Sequence, residues 1–209
     1  MGGQQTGQGA GTGCRGLGRG AVDRGSRSGG RVEIKVELKD VELARLIVRR
    51  VGARRIGLLH QVDTYFNVPD CRLKKREAMM NGHPEPVEVI RYERADRPAA
   101  RASSFTIYNE QEAGYRFGTL GLPIRTIVEK TRELWMIDSL RIHLDDVRHL
   151  GRFLEIEALV TPRQNVARCH ARIAHLRRHL EPALGEPIAT SYCDLLESDG
   201  RRPVEPTQP

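Results

Sequence analysis

Residues 31–39 read RVEIKVELK, and apolar and charged side chains alternate strictly along this stretch. The apolar face holds Val32, Ile34, Val36 and Leu38. A period of two is typical of a β-strand that buries one of its faces. The sequence therefore predicts a strand here, followed by a helix over 41–51 with Asp40 in the N-cap position.

Further strand patterns follow along the chain, separated by two more helical segments. Strands are predicted over 58–67, 71–78, 86–95, 103–109, 125–137, 139–146 and 152–161. Helices are predicted over 110–120 and 164–181. Most connections are too short for parallel crossovers, so we expect an antiparallel sheet. Together these elements indicate an α+β domain.

Charged and polar residues two positions apart recur on these strands, so that they share one face. They are Asp63 and Tyr65, Lys74 and Arg76, Tyr92 and Arg94, Lys130 and Arg132, Arg141, His143 and Asp145, and Glu155 and Glu157. An open sheet with one solvated face gives such a pattern, and so does a closed barrel whose lumen holds a small ligand. The barrel would need a polyanion and cations to neutralise its interior. The pattern alone leaves both arrangements open.

The overall composition is that of a globular chain with a basic bias. Its 209 residues carry a formal net charge of +7, which favours anionic partners such as phosphates, nucleotides or nucleic acid. No apolar run approaches the roughly 18 residues of a membrane span, and the N-terminus lacks the apolar stretch of a signal peptide. We therefore expect a cytoplasmic protein without a membrane partner, whose scattered cysteines are free thiols.

Composition also divides the chain into three segments. Residues 1–30 are rich in Gly, Gln, Ser and Arg, which predicts a disordered tail because such a segment buries too little surface to offset its ordering entropy. Residues 31–197 form the predicted folded domain. Residues 198–209 contain three prolines and are predicted to be a flexible C-terminal tail.

Several stretches of the predicted domain match a known family in order and spacing. They are RVEIKVELKD, QVDTYFNVPDCRLKKRE, VIRYERADRP, VEKTREL, LRIHLDDVRHLGRFLEIEAL and SYCDLLE. With these motifs the domain resembles the CYTH family, which includes class IV adenylate cyclases and thiamine triphosphatase-like enzymes. The resemblance implies an eight-stranded antiparallel closed β-barrel, a triphosphate tunnel, with flanking helices.

The opening signature of that family is E-x-E-x-K, and this chain matches it in part. Glu33 stands at the second glutamate and Lys35 at the lysine, whereas Arg31 replaces the first glutamate. The resemblance implies Mg²⁺ or Mn²⁺ as the cofactor. Its expected ligands are Glu33, Asp145, Glu155 and Glu157. Such oxygen ligands suit a hard divalent cation.

The resemblance also implies a set of basic residues that bind the triphosphate. The set comprises Lys35, Lys74, Arg76, Arg94, Lys130, Arg132 and Arg141. One arginine side chain can donate two parallel hydrogen bonds to the oxygens of a phosphate, and lysine acts as a compact positive charge. Catalytic roles are expected for Lys35, Arg132 and His143, with a hydrogen-bonded structural histidine as the alternative for His143. Tyr192 is expected either to close the tunnel or to anchor the C-terminal segment.

Two reactions share this scaffold: hydrolysis of a triphosphate, and closure of ATP to cyclic AMP with release of pyrophosphate. Both need in-line geometry and neutralised charge. RIHLDD and SYCDLLE look closest to the cyclase branch, and the expected substrates are ATP, tripolyphosphate or thiamine triphosphate. The alternative is a non-catalytic module for nucleotide, polyphosphate or RNA, which Arg31 and the Arg/Gly-rich tail favour. Apolar positions on an outer barrel face would be compatible with a homodimer.

Overall fold

The computed structural model of the chain describes residues 26–69, 71–118 and 121–199. The predicted N-terminal tail lies outside the described residues up to position 25, and the predicted C-terminal tail lies outside them from position 200 onward. The folded domain predicted over 31–197 falls almost entirely within the described part.

The strands in this part of the chain form one antiparallel sheet. They are β1 (Arg27–Leu38), β2 (Arg54–Phe66), β3 (Arg72–Met80), β4 (His83–Pro84), β5 (Glu88–Arg94), β6 (Arg101–Tyr108), β7 (Ile124–Ile137), β8 (Leu140–Val147), β9 (Gly151–Val160) and β10 (Leu184–Pro187). The helices are α1 (Val41–Arg50), α2 (Glu110–Phe117), α3 (Val166–Leu180) and α4 (Tyr192–Ser198), and a 3₁₀ turn covers Glu181–Ala183. The predicted α+β class is confirmed. β4, β10 and α4 lie outside the predicted elements.

Eight of these strands close into a barrel. Their order is β1-β6-β5-β3-β2-β7-β8-β9, and β9 pairs back onto β1 with Glu33 opposite Glu157 and Lys35 opposite Glu155. β10 extends the sheet beside the end of β1, and β4 forms a short pair with β3. Of the two arrangements that the charge pattern leaves open, the structure has the closed barrel.

The two faces of β1 explain why the lumen is charged. The apolar face, from Val32 to Leu38, packs outward into a hydrophobic core shared with α1 and α3. Ile142 of β8 and Ile156 of β9 continue the same layer and are fully buried. Burying an aliphatic side chain of this size contributes about 1.5–3 kcal/mol. Because this layer is covered by the helices, the alternate charged residues face the barrel interior.

Polar caps set the starts of the two helices that cover this core. The Asp40 side chain accepts a hydrogen bond from the backbone N–H of Leu43 at 2.9 Å, as predicted for α1. Asn165 accepts the equivalent bond from Arg168, also at 2.9 Å. An N-cap lies outside the helix it starts, so α3 begins at Val166 and not at the predicted position 164.

β1 begins at Arg27, inside the segment 1–30 that composition predicts to be a tail. Its first residues pair with β6, where Gly29 stands opposite Phe105. A Cβ built on Gly29 would come within 3.0 Å of the Phe105 ring. A side chain there would require the Phe105 ring to shift, and the first four residues of β1, Arg27 to Gly30, contain no apolar side chain that would signal a strand.

Two findings bear on the expectations drawn from composition. No helix in the described part of the chain is long and apolar enough to cross a membrane. Cys71, Cys169 and Cys193 are free thiols, as expected, while Cys14 lies outside the described residues.

Candidate functional site

The inward faces of the barrel strands bring many charged side chains into one lumen. Among the described residues, the cations are Arg31, Lys35, Lys74, Arg76, Arg94, Arg101, Lys130 and Arg132. The carboxylates are Glu33, Asp63, Asp145, Glu155 and Glu157. The most exposed of these side chains, that of Arg31, is only 23% exposed, so the charges are largely shielded from water. The eight cations exceed the five carboxylates by three charges.

Asp63 and the bases around it form what we call the Asp63 cluster: Asp63, Lys74, Arg76 and Lys130. β2 places Asp63 between the bases of β3 and β7. Its carboxylate accepts hydrogen bonds from Lys74 Nζ at 2.9 Å, Arg76 Nε at 2.7 Å and Lys130 Nζ at 2.5 Å. Burial opposes its ionisation, but the three cations outweigh burial and hold the pKa of Asp63 well below its usual range. An internal carboxylate therefore holds three predicted phosphate-binding residues in place.

His143, Glu155 and Glu157 form a second cluster, which we call the His143 group. All three residues are buried, and each offers a ligand atom within 4.8 Å of the others. Burial opposes ionisation of Glu155, but a hydrogen bond with His143 and the charge of Arg132 hold its pKa well below its usual range. Carboxylate oxygens suit a hard divalent cation, and imidazole adds a nitrogen ligand that transition metals accept. The residues of this group suit one divalent cation, which would compete with Arg132 Nη2 for Glu155 Oε2, at 2.8 Å, and with Arg31 Nη1 for Glu157 Oε1, at 3.1 Å.

The other two predicted metal ligands are engaged by different partners. Asp145 accepts hydrogen bonds from Arg132 Nε at 2.6 Å and from Tyr192 Oη at 2.8 Å. Glu33 accepts one from Arg94 Nη1 at 2.6 Å and pairs with Arg31 Nε at 2.9 Å. Both carboxylates thus lie in the lumen, but arginines occupy the positions where a cation would bind them.

Tyr192, the first residue of α4, reaches into the lumen. Lys35 Nζ lies 3.6 Å from the centre of its ring, and its hydroxyl bonds to Asp145. Burial lowers the pKa of Lys35 to about 8, although Glu155 opposes this shift. Tyr192, which is expected either to close the tunnel or to anchor the C-terminal segment, thus contacts Lys35 and Asp145 inside the lumen.

Arg94 and Arg101 keep hydrogen-bond donors that have no partner among the described residues. These donors are the Nε and Nη2 atoms of each side chain. The Arg94 side chain is 4% exposed and the Arg101 side chain is 1% exposed. Both guanidinium groups face Glu33. Its Oε1 lies 2.6 Å from Arg94 Nη1 and 3.6 Å from Arg101 Nε. A buried donor without an acceptor costs free energy. An anionic ligand in the lumen would supply the missing acceptors.

Nearly all of the predicted site residues come together in this lumen. The exception is Arg141 of β8. It pairs with Glu157 of β9, but its side chain is exposed. Sequence reasoning missed Arg101, because the predicted strand begins at 103, and extending its alternation by two residues would have found it. It also missed the role of Asp63, whose partners come from other strands.

Comparison with known proteins identifies relatives of this chain. A family model described as the CYTH domain matches residues 31–192. A Methanocaldococcus jannaschii protein named "Putative adenylate cyclase MJ0240" is 23% identical over 169 residues, which cover 78% of this chain and 97% of that protein. The match therefore extends over nearly the whole length of that relative.

Solved structures from Pyrococcus horikoshii OT3 share the architecture. The PH1012 protein has a TM-score of 0.61 at 22% identity and covers 79% of this chain and 98% of its own. The PH1819 protein has a TM-score of 0.60 at 23% identity and covers 81% of this chain and 99% of its own. At these identities the likeness shows a common fold.

Proposed function

The chain belongs to the CYTH domain family, and on this premise we propose that its lumen binds the triphosphate group of a substrate and promotes metal-dependent phosphoryl transfer. Triphosphate binding in a tunnel and dependence on a divalent metal are properties of the family. The proposed reaction is either closure of ATP to cyclic AMP and pyrophosphate, as in class IV adenylate cyclases, or hydrolysis of a triphosphate.

The observation that carries this proposal is the unbalanced positive charge of the lumen. Cations outnumber carboxylates there, and Arg94 and Arg101 retain buried donors without partners. A triphosphate supplies both negative charge and acceptor oxygens, and charge-assisted bonds to arginine are among the strongest hydrogen bonds in proteins. A neutral ligand would leave the excess charge uncompensated.

The Asp63 cluster supports the same proposal, because its bases are fixed before the ligand arrives. Lys74, Arg76 and Lys130 are held by one carboxylate at hydrogen-bond distance. Donors that are already oriented need little reorganisation during the reaction, which is how preorganised charge accelerates phosphoryl transfer. We expect phosphate oxygens to take over these bonds from Asp63.

The His143 group would hold the divalent cation of the family, Mg²⁺ or Mn²⁺. Its nitrogen ligand favours Mn²⁺ over Mg²⁺. A divalent cation held there would act as a Lewis acid that offsets negative charge at the attacked phosphorus. This assignment moves His143 from the expected catalytic role to that of a ligand. Lys35 and Arg132 keep the role of stabilising charge beside it.

Product analysis of the full chain tests the proposal. The protein is incubated with ATP, tripolyphosphate and thiamine triphosphate, each with Mg²⁺ or Mn²⁺, and the products are separated by chromatography. Cyclic AMP with pyrophosphate would support ring closure, and orthophosphate would support hydrolysis. Binding without turnover of any of the three would overturn the enzymatic part of the proposal for these substrates.

A non-catalytic binding module is the second candidate, and Arg31 favours it. This residue stands where the family signature has an acid, and its guanidinium pairs with Glu33 and Glu157 at 2.9 Å and 3.1 Å. A binding module would keep its affinity in EDTA and lose it steeply as salt rises. An enzyme would lose turnover in EDTA. Detection of bound metal fits both candidates, so turnover is the measurement that separates them.

A further inference from the structure

Arg31 places a permanent positive charge among the carboxylates of the lumen. Its Nε lies 2.9 Å from Glu33 Oε2 and its Nη1 lies 3.1 Å from Glu157 Oε1. Nε also donates to Ser103 Oγ at 3.2 Å, and the guanidinium covers the Phe105 ring at 5.1 Å from its centre. The side chain is therefore held in one position between the two glutamates.

The charge on Arg31 is retained in spite of its surroundings. Burial opposes the charged form, but Glu157 and Glu33 outweigh burial and raise the pKa of Arg31 above its ordinary value. A guanidinium is already charged throughout the pH range in which proteins are folded. Arg31 thus offsets one of the two negative charges of Glu33 and Glu157 and lies between them.

Glu33 is surrounded by donors from this chain. Oε1 faces Arg94 Nη1 at 2.6 Å and Arg101 Nε at 3.6 Å. Oε2 faces Arg31 Nε at 2.9 Å and accepts from Ser103 Oγ at 3.4 Å. The contacts with Arg94 Nη1 and Ser103 Oγ are hydrogen bonds, and the guanidinium groups of Arg31 and Arg101 lie beside the carboxylate as charges. A divalent cation on Glu33 would also face three guanidinium charges.

We propose that Arg31 is a resident cation that takes the place of one divalent ion at Glu33 and Glu157. The His143 group, in which Glu157 keeps its second oxygen, then remains as the site for a single divalent cation. This remaining site rests on the function proposed above. Arg31 acts here as a positioning residue, because it touches the carboxylates and not the metal.

The number of Mn²⁺ ions bound per chain tests this proposal without any measurement of activity. Free Mn²⁺ is followed by electron paramagnetic resonance during titration of the full-length wild type and the variants R31E and R31Q. The wild type should bind one ion. R31E restores the acid of the signature and should bind one ion more than the wild type. R27E is a matched control, since Arg27 lies on the same strand in an exposed pair with Glu88, and it should bind as many ions as the wild type.

R31Q covers the case in which R31E does not fold. Glutamine removes the charge without adding an acid, so Glu33 and Glu157 should gain a second, weaker Mn²⁺ site. R31Q should also melt at a lower temperature than the wild type without metal and show a larger rise in melting temperature with Mn²⁺. A folded R31E or R31Q that binds the same number of ions as the wild type would overturn the proposal.

Failure of this inference and failure of the proposed function give different results. Unchanged ion counts in the Arg31 variants, with triphosphate turnover intact in the wild type, would overturn only the role of Arg31. A gain of one ion in R31E, with no turnover of any triphosphate by the wild type, would support the role of Arg31 and overturn the enzymatic proposal.

Discussion

Replacement of Asp63 by asparagine should destabilise the unliganded protein and strengthen its binding of tripolyphosphate. Asp63 is 1% exposed, and its carboxylate lies 2.5–2.9 Å from the donors of Lys74, Arg76 and Lys130. Asparagine keeps the shape and one acceptor oxygen but loses the charge. The three buried cations then lose their shared counter-ion, which a bound polyphosphate would replace.

The magnitude follows from the burial of this cluster. Removing one partner of a buried ion pair costs about 3–5 kcal/mol, and the lower end applies because the amide oxygen still accepts a hydrogen bond. For a chain of this size each kcal/mol lowers the melting temperature by about 2–4 °C, so we expect a fall of about 6–12 °C. If about half of this cost is recovered in the bound state, tripolyphosphate should bind about tenfold more tightly.

The stability of D63N and of the wild type should also depend differently on pH. The pKa of Asp63 is lowered in the folded protein. The contribution of its carboxylate to the free energy of unfolding is therefore fully present above the ordinary aspartate pKa of about 3.9, and it is lost as the pH falls through the lowered pKa of the folded state. The D63N variant should therefore lose less stability than the wild type on acidification. Urea unfolding over a series of acidic pH values measures this difference.

Circular dichroism melts with and without tripolyphosphate, together with isothermal titration calorimetry, test the main prediction. D146N is a matched control, since Asp146 is an exposed aspartate that pairs with Arg152 at 3.5 Å, and its melting temperature should fall by less than about 4 °C. An unchanged melting temperature in D63N, or weaker tripolyphosphate binding than in the wild type, would refute the reasoning.

Other substitutions probe the metal site, a buried lysine and the α4 wall. E157Q should lower Mn²⁺ affinity at least about tenfold and reduce turnover more than tripolyphosphate affinity; equal losses of both would contradict its assignment to the metal. Burial, reinforced by Arg76, lowers the pKa of Lys74, so tripolyphosphate affinity should fall with rising pH before the ordinary lysine value of about 10.4 is reached. Calorimetry at several pH values should find a smaller fall in K74R, in which Lys35, whose pKa is lowered to about 8, still loses its proton; a pH profile identical to that of the wild type would count against the role of Lys74. Y192F removes the bond to Asp145 and should lower the free energy of unfolding by about 1.5–3 kcal/mol, measured in urea; no change would mean that this bond is not formed in solution.

The strands of the barrel could be predicted from sequence because their signal is local. Alternation in β1 and β9 depends only on which face of each strand meets the helical layer, and both strands were identifiable from a few residues. The closure of the sheet is a different matter. It depends on the pairing of Glu33 with Glu157 between the first and ninth strands, which no local pattern encodes.

The roles of the site residues depend on neighbours that are remote in sequence. Asp63 has the same alternating context as any charged strand residue, and only the folding of β3 and β7 around it makes it the centre of three cations. Arg101 lies two positions before the predicted start of β6, so the alternation of the strand reaches it only when extended, and its pairing with Glu33 on β1 has no local signal. β10 and α4 are short, with four and seven residues, and too few positions are available to establish a period.

The position of a triphosphate in the lumen tests the central claim most directly. A crystal structure of the full chain grown with tripolyphosphate and Mn²⁺ would supply it. The account predicts phosphate oxygens within hydrogen-bond distance of the unpartnered Nη2 atoms of Arg94 and Arg101 and of the bases of the Asp63 cluster. Tripolyphosphate bound only on the outer surface of the barrel, with Arg94 and Arg101 still unpartnered, would contradict it.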